Sequence, residues 1–137
     1  MTSMNFELLM VDDDELFLVL NKRELVKSGF HLEPKSFLDA EGALNYLKSL
    51  DQPNKKILIF LDINMPEIDG WQFLKKLQEL QLNLHIKHVL VTSSTDPKDR
   101  IIAKDFPEII GFLEKPIDRN MLQELSEQPS IREFIEG

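Results

Sequence analysis

Short apolar runs alternate with helical stripes along nearly the whole chain. Phe6 to Val11 reads Phe-Glu-Leu-Leu-Met-Val and breaks at Asp12-Asp13-Asp14, where a carboxylate can cap the helix that follows. That helix runs to about Ser28 and stops at Gly29, a residue that closes helices in the left-handed conformation. Leu16 to Leu20 are all apolar, so no single inward face stands out. His31 to Phe37 is a weaker strand, and Pro34 within it points to a sheet edge, where a missing N–H does no harm. Asp39 caps a second helix, striped by Ala40, Ala43, Leu44, Leu47 and Leu50. After a turn-like Asp51 to Lys55, Ile57 to Leu61 is apolar on both faces, as a central strand covered by helices on two sides must be.

Asp62 to Gly70 reads as a structured loop, and the third helix carries Phe73, Leu74, Leu77 and Leu80 on one side. His88 to Thr92 is a short strand. Asp96-Pro97 opens the fourth helix, and Ile109 to Leu113 is a fifth strand ended by Glu114-Lys115-Pro116. Asp118 caps a fifth helix with Met121, Leu122 and Leu125 inward. Pro129 ends or kinks it, and a capping-box pattern, Ser130-x-x-Glu133, precedes a small stripe of Ile131, Phe134 and Ile135 that docks back on the domain. Five strands alternating with five helices predict a doubly wound parallel α/β sheet with helices on both faces. A ligand site is then expected beyond the carboxyl ends of the strands.

Length and composition narrow this further. The 137 residues suit one domain, and 42% hydrophobic with 29% charged residues is an ordinary globular balance. A net charge of −8 repels phosphate backbones and anionic lipid, which argues against direct nucleic-acid or membrane binding. The absence of cysteine removes thiolate chemistry and Cys-ligated metals. No apolar run is long enough to cross a bilayer, and Met1 to Asn5 lacks the features of a signal peptide, so a cytoplasmic location is expected.

The residues just past the strands are Asp12 and Asp13 after the first, Asp62 after the third, Thr92 ending the fourth and Lys115 after the fifth. Crowded carboxylates repel one another unless a cation intervenes, and an all-oxygen set favours Mg2+ over zinc. Lys115 and Thr92 add a positive charge and a hydroxyl suited to a phosphoryl group, which makes Asp62 the natural nucleophile for an acyl phosphate. Each feature alone has a plainer reading: Asp12, Asp13 and Asp14 as helix caps, Asp62 and Gly70 as turn chemistry, Phe112 as core. Asp14 is assigned to capping. Trp71 is given no chemistry, and His31, His85 and His88 show no ligand spacing.

Leu9-Met10-Val11-Asp12-Asp13-Asp14, the run Leu61 to Gly70 (Leu-Asp-Ile-Asn-Met-Pro-Glu-Ile-Asp-Gly), Leu90-Val91-Thr92-Ser93-Ser94 and Lys115-Pro116 resemble the receiver domain of two-component response regulators. The resemblance spans roughly Phe6 to Leu125. It implies a flavodoxin-like sheet of order 2-1-3-4-5, a receiver domain over residues 1–128 and a short helical tail over 129–137. It implies that Asp62 accepts a phosphoryl group from a histidine kinase or histidine phosphotransfer protein. Mg2+ is then held by Asp13, Asp62 and the backbone carbonyl of Asn64, with Asp12 acting through water. Thr92 and Lys115 contact the phosphoryl oxygens, the bond before Pro116 is cis, and Phe112 stands at the aromatic switch position, where tyrosine is commoner. Ser93 occupies a small-residue position, and Asn64 and Ser94 stand where the family tunes dephosphorylation. A downstream protein would read the face formed by the fourth helix, fifth strand and fifth helix.

On this reading the chain is a phosphoacceptor and not a turnover enzyme. The chain is expected to be a stand-alone regulator, with a relay intermediate or an excised receiver as alternatives; Met1 and the short folded tail favour a complete chain over an excised one. A haloacid dehalogenase-like Mg2+-dependent phosphatase is disfavoured because Asn64 stands where a second, proton-donating aspartate is usual. A flavodoxin-type cofactor binder is remote, since three acids and no Gly-rich loop follow the first strand.

Overall fold

A computed structural model describes residues 5–50, 52–93 and 96–136. In chain order the elements are β1 (Glu7–Val11), α1 (Glu15–Ser28), β2 (Lys35–Phe37), α2 (Ala40–Ser49), β3 (Lys55–Asp62), α3 (Gly70–Leu80), β4 (Leu84–Thr92), α4 (Pro97–Ala103), β5 (Ile109–Glu114), α5 (Arg119–Glu127) and α6 (Pro129–Glu136). The five strands form one sheet in the order β2-β1-β3-β4-β5, and every pairing is parallel. This is the expected doubly wound, flavodoxin-like arrangement. Among the described residues there are six helices in place of five, because the tail completes a helix of its own. No helix among the described residues is long and apolar enough to cross a membrane.

Side-chain alternation along the strands divides the core into two layers. Leu9, Val11, Ile57, Ile59, Leu61 and Leu90 meet the inward sides of α2 and α3, chiefly Ala43, Leu47, Phe73 and Leu74. Leu8, Met10, Leu58, Phe60, Val89 and Val91 meet Leu18 and Leu25 of α1, Leu122 and Leu125 of α5, and Ile131 and Phe134 of α6. β3 is buried from Ile57 to Asp62, as its two-sided apolar run predicts. β2 has only three residues, follows Pro34 and lies at the sheet edge.

Helix starts follow the carboxylate signals. Asp14, Asp39, Asp69, Asp96 and Asp118 each accept a backbone N–H from the first turn of the following helix, a cap worth about 1 kcal/mol. Gly29 ends α1 at φ 77°, where any side chain would strain the backbone. The apolar run in α1 resolves into buried Leu18, with Leu16, Val19 and Leu20 exposed.

Several boundaries differ from the sequence reading. β4 begins at Leu84 rather than His88, because Lys55–Asp62 of β3 offers a ladder partner to each residue from Leu84 to Val91. β3 likewise starts at Lys55, the end of the segment read as a turn; Asp51 lies outside the described residues. Leu80 is more than one-third exposed and not inward. The Ser130 capping box does not form: Gln128 is extended at ψ 135°, Pro129 opens α6, and the Ser130 hydroxyl donates to the Ile110 carbonyl at 3.2 Å. Proline suits that first position because its missing N–H would have no helical partner there.

Candidate functional site

The carboxyl ends of β1, β3 and β4 and the residue after β5 bring Asp12, Asp13, Asp62, Thr92 and Lys115 to one edge of the sheet. Asp12 and Asp62 are buried, while Asp13 is exposed at the rim. One carboxylate oxygen from each of the three lies within 4.8 Å of the others. Local backbone bonds fix two of these carboxylates. Asp12 Oδ1 accepts the Asp14 N–H at 2.9 Å, and Asp62 Oδ1 accepts the Asn64 N–H at 3.1 Å. Both are short turns in which a side chain claims the amide two residues on.

Lys115 bridges the two buried acids. Its Nζ lies 2.8 Å from Asp12 Oδ2 and 3.3 Å from Asp62 Oδ2. The longer contact with Asp62 is a hydrogen bond and the shorter one with Asp12 is the closer ion pair, so one ammonium is shared between two buried carboxylates. The backbone holds the lysine in place: the Lys115 N–H donates to the Thr92 carbonyl at 2.9 Å, and the Lys115–Pro116 peptide is cis. Nζ also sits 4.2 Å from the centroid of the Phe17 ring, a cation–π contact that no motif signals.

Burial and the neighbouring Asp12 charge push the Asp62 carboxyl up to about 6, against the opposing pull of the Asn64 N–H and Lys115. For Lys115, burial works against the charge, but Asp12 and Asp62 outweigh it and raise the ammonium above its ordinary value. The site thus contains more acid than its one cation balances.

Supporting contacts set the positions of these groups. Gly70, at the start of α3, donates its N–H to the Ile63 carbonyl at 3.0 Å; a Cβ there would lie 2.8 Å from Ile63 Cα and 3.0 Å from the Asp62 carbonyl oxygen. The motif glycine is therefore a close-approach residue that lets α3 pack on the backbone carrying Asp62, a role that turn propensity alone did not suggest. Phe112, half-buried, lines a cavity of about 140 Å3 together with Thr92, Asp96, Asp99 and Arg100. The Arg100 guanidinium lies 4.4 Å from the Phe112 ring centroid, another contact invisible in sequence. Trp71 stacks on Phe106 away from the acids. His31 and His88 are buried and His85 is exposed; none joins the cluster. Ser94 lies outside the described residues.

Comparison with known proteins agrees with this geometry. The "Probable transcriptional regulator ycf29" of Porphyra purpurea is 31% identical over 124 residues, covering 89% of this chain and 55% of that protein. The response regulator PleD of Caulobacter vibrioides is 33% identical over 119 residues, covering 87% of this chain and 25% of its own length. The chain thus spans at most about half the length of these relatives. A response regulator receiver protein from Dyadobacter fermentans superposes with a TM-score of 0.76 at 29% identity, covering 89% of this chain and 95% of that one. Residues 8–127 match the response regulator receiver domain, and with four separated strand-end motifs converging on one acidic pocket, the chain belongs to the response regulator receiver family.

Proposed function

We propose that Asp62 accepts a phosphoryl group from a phosphohistidine on a kinase or phosphotransfer protein, and that the modified chain presents a changed face to a protein target. The observation that carries this reading is the buried Asp62 carboxylate, set between Asp12, Asp13 and Lys115 at the open end of the sheet. In the transfer, an Asp62 carboxylate oxygen attacks phosphorus and a P–O bond forms. The P–N bond breaks, and the imidazole leaves with the electron pair and takes up a proton. Lys115 meets the charge on the transferring oxygens from the side of Asp62 Oδ2, and Thr92 supplies a hydroxyl at the end of the adjacent strand.

Receiver domains bind Mg2+ in an acidic pocket, and the donors here fit that ion: an all-oxygen set of three clustered carboxylates with more negative charge than Lys115 balances. Asp13, Asp62 and the Asn64 carbonyl would hold it, with Asp12 acting through water. When bound, the ion offsets charge on the phosphoryl oxygens.

Thr92 and Phe112 line the same cavity beside α4, which supports a coupling of the two as a switch read on the α4-β5-α5 face. The chain would act in the cytoplasm as a phosphoacceptor, as a stand-alone regulator, a relay intermediate or the receiver portion of a longer regulator. Intact-protein mass after incubation with acetyl phosphate and Mg2+ tests the reading. One phosphoryl adduct is expected on the unmodified sequence, and none on Asp62→Asn or without Mg2+. An equal adduct on Asp62→Asn would overturn the assignment.

A further inference from the structure

A second cavity, of about 520 Å3, opens at the other end of the sheet among Lys56, His85, Lys87, Ile110, Glu133 and Phe134. Lys56 lies six residues before Asp62 on β3, roughly 20 Å along an extended strand, so the two sites share no side chain. Lys56 is in register with His85, and Lys87 with Leu58, which puts the three basic side chains on neighbouring strands facing α6. The far wall of the cavity is α6, whose residues lie beyond position 127, where the family match ends.

The basic groups are placed and not neutralised. Lys56 Nζ donates to the Phe134 carbonyl at 2.7 Å and lies 5.6 Å from the centroid of the Phe134 ring. His85 meets the same ring edge-on at 5.0 Å. Neither Lys56 nor Lys87 forms an ion pair with any carboxylate among the described residues, although the chain carries a net charge of −8. Two ammonium groups that form no ion pair, against the single carboxylate of Glu133, leave a net positive cavity of small-molecule size on an acidic protein. Glu133 on the same cavity sets a limit, since it disfavours a polyanion.

We propose that this cavity binds a small organic anion. Its carboxylate or phosphate head would lie between Lys56 and Lys87 with His85 as a further polar partner, and its apolar body would rest against the half-buried Ile110 and the rim of the Phe134 ring. The test is titration of the full chain with benzoate, phenyl phosphate and neutral benzamide, followed by backbone amide shifts. Saturable shifts confined to the cavity residues are expected for at least one anion, with little response to benzamide. The stronger of the two anions identifies the head group. Lys87→Gln and Lys56→Gln, with folding checked by circular dichroism, are each expected to weaken binding about fivefold, the loss for one partly exposed charge contact. An equal response to benzamide, unchanged affinity in both folded variants, or no saturable shift up to ~20 mM anion, where even contacts weaker than a millimolar Kd would show, overturns the proposal.

Discussion

Asp62 faces a conflict between fold stability and chemistry. Its carboxyl is pushed up to about 6 by burial and by Asp12, so the charged form that the proposed nucleophilic attack requires is disfavoured in the metal-free fold. The folded-state value lies above the unfolded value of 3.8, so the unfolded chain gives up this proton at lower pH. Asp62 therefore contributes most to stability below about pH 4, and the contribution is lost as pH rises through 6. Asp62→Asn keeps the shape and removes the charge. In Mg2+-free buffer at pH 7.5 it is expected to raise stability by on the order of 1–2 kcal/mol after allowing for solvent screening, with the gain shrinking towards pH 4. Thermal melts of both proteins across that range check this; a variant less stable at pH 7.5 would mean that Lys115 outweighs the repulsion. The acids, threonine and lysine of this site were legible as strand-end residues. Phe17 beneath Lys115 and Arg100 over Phe112 were not, because each contact joins elements whose relative placement no local pattern encodes.

Secondary structure was most legible where two signals coincided. A carboxylate cap before an apolar stripe marked the start of α2 and α5, and a two-sided apolar run marked the interior of β3. Where only tertiary pairing decided, the pattern fell short. His85 and Lys87 interrupt the apolar pattern of β4 yet lie in its ladder because β3 runs alongside, and the end of α6 that looked like a capping box is set by Pro129 and the sheet-edge carbonyl of Ile110. Gly70 shows the same limit at the α3 end of the site. A methyl group there would meet Ile63 Cα at 2.8 Å and the Asp62 carbonyl at 3.0 Å, backbone atoms that cannot swing aside, so α3 or the loop carrying Asp62 must shift. Gly70→Ala is expected to cost about 1–3 kcal/mol in urea unfolding, as overpacking does, and to slow acetyl phosphate labelling of Asp62. A variant with unchanged stability and labelling would show that the α3 start has room the geometry does not suggest.

Across the whole molecule, two buried titratable groups make stability depend on pH in opposite directions. Asp62 sits at the carboxyl end of the central strand β3; His88 lies deep in β4, edge-on to Phe73, with its Nδ1 lacking any hydrogen bond. Burial, aided by the Lys87 charge, holds the His88 imidazolium down to about 3 from 6.5. Its folded value is below its unfolded value, so the unfolded chain takes up the proton first: the stability is present above about pH 6.5 and is lost as pH falls towards 3. One proton taken up only on unfolding gives a slope of more than about 1 kcal/mol per pH unit within that window. His88→Leu removes both the titration and the unpartnered buried nitrogen while keeping an apolar side chain beside Phe73. Because a buried polar atom without a partner costs free energy, the variant is expected to be at least as stable as the unmodified chain at pH 7.5, and its acid-side slope between pH 6 and 4 shallower by about that amount. Asp62→Asn steepens the net acid-side loss over the same interval, since it removes the opposing contribution of Asp62. Urea unfolding of the three proteins at pH 4, 5, 6 and 7.5 separates the effects. If His88→Leu leaves the slope unchanged, His88 reaches solvent before the fold opens, and the acid sensitivity of the domain lies in its carboxylates alone.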